Sequence, residues 1–180
     1  MQVLGLKKMP ELIPVLSKDD IDKRISVIAH RISNDYKNDE LVFIGVLKGS
    51  FIFLSDIVRC LTIPVRIDFV GISSYGSGIY SSGNIRLTKK IELNVRDKDL
   101  LIIEDIIDTG STLSYLIDYL NSFDPKTVKV CVLLDKSERR DKKINVDYVC
   151  HKVKKGFFVG YGLDYNENYR NLQGIYCLKL

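Results

Sequence analysis

Short apolar runs separated by amphipathic stretches set the pattern of this chain. "LVFIGV" (Leu41 to Val46), "DLLII" before Glu104 and most of "TVKVCVLLD" (Thr127 to Asp135) are apolar without alternation. Runs of this length read as strands buried on both faces, as in a parallel sheet covered by helices. Between them, Ile21, Ile25, Ile28 and Ile32 recur at helical spacing behind "SKDD", Ser17 to Asp20, a hydroxyl followed by acids as at a helix start. "SFIFLSDIVRCL" and "STLSYLIDYLNSF" read as two further helices, the second stopped by Asp124-Pro125. "PVRIDFVGIS" and "IRLTKKIEL" are strand-like and flank the Gly/Ser-rich Ser73 to Asn84, a long loop at the tip of a hairpin. "VDYVCHK" is a further strand. Strands alternating with helices predict an α/β fold. With no linker, repeat or low-complexity tail, the 180 residues are expected to form one domain, 1–180.

Composition narrows the setting. The net charge of +4 permits anionic ligands without demanding nucleic acid. No run approaches the ~18 apolar residues of a membrane span, and the first dozen residues lack a secretory h-region. Cys60, Cys131, Cys150 and Cys177 have no zinc-ligand spacing. Cys60 and Cys131 stand in apolar contexts that predict core packing, and a reducing cytoplasm is the expected compartment.

The chemistry concentrates in "LLIIEDIIDTGSTL", Leu100 to Leu113. Ligands of open α/β sheets bind beyond the carboxyl ends of the strands, where Glu104 and Asp105 fall. Two adjacent acids repel, so a divalent cation or a hydroxyl-rich ligand would offset them. Asp108 to Thr112 then turns into a helix, whose free N–H groups with the Thr and Ser hydroxyls make an anion site. One segment therefore suits a phosphorylated sugar held with Mg²⁺. A solvated acidic turn is the plainer alternative. Walker-type and dinucleotide fingerprints are absent: "LKGS" reverses the Lys and Gly order, and "GSGIYS" lacks the third glycine.

This segment resembles the phosphoribosyl-pyrophosphate motif of type I phosphoribosyltransferases, and Asp108 resembles the 6-oxopurine branch. "VLKGSFIFLSDIVR", "DFVGISSYG", "LLDK" and "FFVGYGLDYNENYRNL" resemble the same branch, in order, from about Leu41 to Leu180. The resemblance implies a parallel sheet flanked by helices, with a small hood made from the N- and C-terminal segments. It implies purine salvage: phosphoribosyl pyrophosphate (PRPP) and hypoxanthine or guanine giving IMP or GMP and pyrophosphate. "KKGFF" differs from most relatives, so the preference among hypoxanthine, guanine and xanthine stays open.

The roles it implies are as follows. Glu104 and Asp105 meet the ribose hydroxyls, directly or through the metal, and Asp108 is the general acid or base near purine N7. Thr109, Gly110, Ser111 and Thr112 hold the 5′-phosphate. Lys48 and Gly49, after a cis peptide between Leu47 and Lys48, meet the pyrophosphate together with Arg170. Ser74 and Tyr75 begin a lid. Lys136 donates to the purine 6-oxo group, and Phe157 or Phe158 stacks on the base. Asp164 joins Glu104 and Asp105 in holding Mg²⁺. No role falls to His30 or His151. The basic stretch containing "ERRDKK" is expected to be mostly a solvated loop. A homodimer or homotetramer is implied. A nucleotide-sensing regulator that binds RNA would keep the fold but would need neither Asp108 nor Lys136.

Overall fold

The computed structural model describes residues 10–37, 39–74 and 85–179, with Ser74 as backbone only. In chain order the elements are β1 (Glu11–Leu16), α1 (Lys18–Asp35), β2 (Leu41–Leu47), α2 (Phe51–Arg59), β3 (Val65–Ser74), β4 (Ile85–Lys89), β5 (Asp99–Ile107), α3 (Ser111–Asn121), β6 (Thr127–Lys136), β7 (Tyr148–Val153), β8 (Phe158–Val159) and β9 (Ile175–Lys179). A six-stranded sheet runs β4-β3-β2-β5-β6-β7. Its pairings are parallel except for the β3–β4 hairpin. A second sheet, β1-β9-β8, joins segments from both ends of the described chain.

The continuous apolar runs follow from burial on both faces. Along β5, Leu101 and Ile103 pack toward α1 and α2, while Leu100 and Ile102 pack toward α3. Phe43 on β2 and Leu133 on β6 share the first layer; Val42, Ile44 and Val132 share the second. The isoleucines 21, 25, 28 and 32 of α1 are all buried. A capping box starts this helix: the Ser17 hydroxyl accepts the Asp20 N–H, and the Asp20 carboxylate accepts the Ser17 N–H.

The sheet order places the functional edge. From β2 the chain steps outward through α2 to β3. From β5 it steps the other way through α3 to β6. The loops after β2 and β5 therefore part at a topological switch point, where open α/β sheets leave a crevice for ligands.

Two sequence expectations are corrected, and a third holds with one exception. Cys60 is exposed, whereas Cys131 is buried. Cys60 falls at the end of α2, where the last turn tightens as its N–H bonds to Ile57 O at 3.1 Å, and it leaves the buried stripe of Phe53 and Ile57. The helix α3 ends at Asn121, before Asp124-Pro125. The "ERRDKK" segment is largely exposed, but Arg140 turns inward to the ends of β5 and β6. His30 is exposed as expected. Among the described residues, no helix is long and apolar enough to cross a membrane.

Candidate active site

A cavity of about 290 Å³ opens at the switch point. Its floor is the end of β5, carrying Glu104, Asp105 and Asp108. Its walls are the loop after β2 and the turn containing Asp164 and Arg170. Close backbone approach ties these pieces together. The Leu47–Lys48 peptide is cis, as the resemblance implied. A Cβ on Gly49 would lie 1.6 Å from Asp105 Oδ2, and one on Gly162, at φ +99°, would lie 2.1 Å from Gly49 O. Only hydrogen fits at either position.

Glu104 is buried, and burial followed by the Asp105 charge raises its carboxyl well above the usual range. Asp105 is also raised, chiefly by burial, although Glu104, the Ile106 N–H and the Arg170 charge oppose the shift. Two carboxyls held in this way are short of positive charge. Asp164 faces them across the cavity, with Oδ1 2.8 Å from an Arg170 nitrogen and Oδ2 accepting the Glu167 N–H at 2.9 Å. Among the described residues no three ligating side chains close into a metal cluster. Hard oxygen donors in so open a set suit a small divalent ion that takes its remaining ligands from substrate oxygens.

The turn after β5 offers an anion site. Gly110 caps α3 with φ +87°, and Thr112 and Leu113 follow in a first turn whose N–H groups have no helical acceptor. The Thr109 hydroxyl accepts the Ser111 N–H at 3.3 Å. Thr109, Gly110 and Thr112 line the cavity; Ser111 does not. Across the mouth, the exposed Lys48 ammonium reaches Glu167 at 2.9 Å. Exposed pairs are worth about 1 kcal/mol or less, so a bound anion can take this lysine over. Arg170 donates to Gly162 O at 2.8 Å. Its Nε is buried with no partner among the described residues.

Asp108 and Lys136 meet at one end of the cavity. Lys136 is only 5% exposed, and its ammonium stands 3.4 Å from Asp108 Oδ2 and 3.5 Å from Glu138. Arg139 also bonds Asp108 Oδ2. Asp108 Oδ1 is buried with no hydrogen-bond partner among the described residues. Such an orphan acceptor is costly and marks a place where a ligand donor belongs. An adjoining cavity of about 500 Å³ is lined by Lys136, Arg139 and Phe157. The Phe157 ring stands edge-on to Tyr165 at 5.4 Å. Phe158 instead lies in the core, on β8 opposite Cys177.

Sequence reasoning passed over Arg139, Arg140, Gly162 and Glu167. Two adjacent arginines four residues beyond an apolar strand end were the available signal for the first two. The lid expectation for Ser74 and Tyr75 lies outside what is described, apart from the Ser74 backbone at the end of β3.

Residues 17–166 match the family described as phosphoribosyl transferase domain. The chain belongs to the phosphoribosyltransferase family. A hypoxanthine-guanine phosphoribosyltransferase of Aquifex aeolicus is 42% identical over 166 residues, 92% of this chain and 93% of its own. Among solved structures, the hypoxanthine phosphoribosyltransferase of Staphylococcus aureus superposes with a TM-score of 0.88 at 39% identity, covering 92% of this chain and 90% of its own. That of Trypanosoma cruzi, in complex with the product IMP, gives 0.86 at 38% identity over 97% of both chains. As a phosphoribosyltransferase, the chain has its acid pair and the Asp108–Thr112 turn at the switch point of its sheet, where the fold leaves room for a ligand.

Proposed function

We propose that this chain transfers the 5-phosphoribosyl group from PRPP to a 6-oxopurine, hypoxanthine or guanine, releasing pyrophosphate and giving IMP or GMP. The observation that carries this reading is the juxtaposition of Asp108, with its unpartnered Oδ1, and the buried Lys136 ammonium. A purine with a 6-oxo group offers an acceptor to the lysine and a ring nitrogen, N7, to the carboxylate. Adenine would turn an amino donor toward a lysine that has no acceptor. A site built this way rejects the wrong partner by roughly 10⁴–10⁵-fold.

In this reading the ribose passes through an oxocarbenium-like state, and the protein acts mainly by placement and charge. The 5′-phosphate sits on the N–H groups and hydroxyls of Thr109 to Thr112. Glu104 and Asp105 accept from the ribose hydroxyls, and Lys48, the N–H of Gly49 and Arg170 receive the pyrophosphate. Asp108 holds or moves the proton at N7. Phe157, on the wall beside Lys136, covers one face of the base. Mg²⁺ fits the oxygen donors of Glu104, Asp105 and Asp164; when bound it supplies positive charge against that of the leaving pyrophosphate. A cytoplasmic location, supported by four free cysteines, and a homodimeric or homotetrameric state belong to the same proposal.

The test is a spectrophotometric assay with PRPP, Mg²⁺ and hypoxanthine, guanine, xanthine or adenine in turn. Turnover of hypoxanthine or guanine with little of adenine is expected. Adenine used as well as guanine would remove Lys136 from base reading and refute the 6-oxopurine assignment.

A further inference from the structure

Asp108 and Lys136 lie at the ends of neighbouring parallel strands, where the β5–β6 ladder stops holding them to each other, although Lys136 still pairs with Val153 of β7. The last register pair between β5 and β6 is Ile107 with Asp135, so both residues sit beyond it. Twisted strands diverge past their last hydrogen bond unless something joins them. Arg140 joins them. Its Nε donates to Asp108 O at 2.9 Å. One terminal nitrogen is shared among Lys136 O at 3.1 Å, Ile107 O at 3.3 Å and Asp135 Oδ1 at 2.5 Å. The same loop gives the Asp141 and Lys142 N–H groups to Thr109 O, both at 3.0 Å. Arg140 lines neither cavity. Its charge is taken up by three carbonyls and one carboxylate, and it acts on substrate through other residues.

We infer that Arg140 is a positioning residue that sets the separation between the Asp108 carboxylate and the Lys136 ammonium, and so the match of this pair to two atoms of one purine edge. The inference rests on the 6-oxopurine reading. N7 and O6 belong to one rigid ring system and lie side by side on one edge. Two side chains that read them together need a fixed spacing, and a misplacement of about 1 Å costs on the order of 10²-fold in rate. A planar guanidinium reaches the main chain of both strands at once. A lysine ammonium is a point charge on a flexible stem and holds one strand end or the other.

The experiment compares wild type with Arg140→Ala and Arg140→Lys, well below their melting temperatures, using hypoxanthine, adenine and PRPP as varied substrates. For Arg140→Ala, kcat with hypoxanthine should fall roughly ten- to hundredfold, the range for one lost charge-assisted hydrogen bond. The KM for PRPP should stay within about twofold, since the phosphate and ribose contacts are on other groups. The preference for hypoxanthine over adenine should narrow, and added guanidinium ion should restore part of kcat. Arg140→Lys should keep the protein folded and still show the narrowed preference, which serves if the alanine variant does not fold. Unchanged kcat and base preference in a folded variant, with only a lower Tm, would overturn the inference, as would a KM for PRPP that rises as steeply as kcat falls. Wild-type protein that turns over neither 6-oxopurine would instead overturn the reading beneath it.

Discussion

A single oxygen on Asp108 carries much of the chemical argument. Oδ2 is held by Lys136 and Arg139, while Oδ1 is buried and lacks a donor among the described residues. Asp108→Asn keeps the shape but loses a proton acceptor. We expect PRPP affinity to stay nearly intact and kcat to fall by roughly 10²-fold or more, as for a lost general acid–base group. Single-turnover kinetics would check this, and an unchanged rate would take Asp108 out of the chemistry. Gly162 is the second informative residue. A methyl group there would meet the main-chain oxygen of Gly49 and would have to tolerate φ +99°. Gly162→Ala should therefore lower kcat/KM by at least about tenfold through the loop that carries Lys48, because misplacements well under 1 Å are felt in rate. Wild-type kinetics in a folded Gly162→Ala protein would show that this close approach is relaxed in solution.

At the scale of elements, Asp68 on β3 anchors the segment after the hairpin. Its Oδ2 accepts the N–H groups of Glu92 and Leu93 at 2.6 and 2.9 Å, and Lys89 lies 3.3 Å from Oδ1. Burial works against the charge, but the N–H donors of Leu93, Glu92 and Phe69 outweigh it, and the carboxyl titrates below its usual range. A depressed folded-state value stabilises the protein above the unfolded value of about 3.9, and that stability is lost as pH falls through the lower folded value. Asp68→Ala should cost about 1–3 kcal/mol at neutral pH. The difference from wild type should shrink below about pH 4 in urea unfolding; a constant difference down to pH 3 would contradict the linkage. Elements with strong periodicity were legible in the sequence: α1 with its capping box, the buried β2, β5 and β6, and the β3–β4 pairing. The short strands were not. Strand β1 carries Pro14, tolerated because β1 is at the edge of its sheet, and β8 has two residues. Both depend on partners distant in sequence, which no local pattern encodes. Glu104 to Thr112 lie within one stretch of chain and could be read together. Arg140 could not, because its role rests on two strand ends that only the folded sheet makes neighbours.

For the whole molecule, the acid pair makes stability depend on what the site holds. Burial pushes both carboxyls up, and the Asp105 charge raises Glu104 further. In the proposed function PRPP with Mg²⁺ binds only the folded chain, so it should stabilise by about 2.7 kcal/mol at a hundred times its Kd. We expect a rise of several degrees in Tm with both present, little with PRPP alone, and reversal by excess chelator; an equal rise with and without chelator would refute a metal-dependent site. Turnover should stop in chelator for the same reason. A different consequence follows from the pairing of β1 with β9, in which Glu11 lies opposite Lys179. Synthesis runs from one partner to the other through the entire sheet. A nascent chain that has emerged as far as Val153 already holds every strand of the six-stranded sheet. It still lacks Asp164, Arg170 and β9, the partner of β1, so the ribosome would carry a formed scaffold with an unfinished site, and competence would arrive only once β9 has emerged.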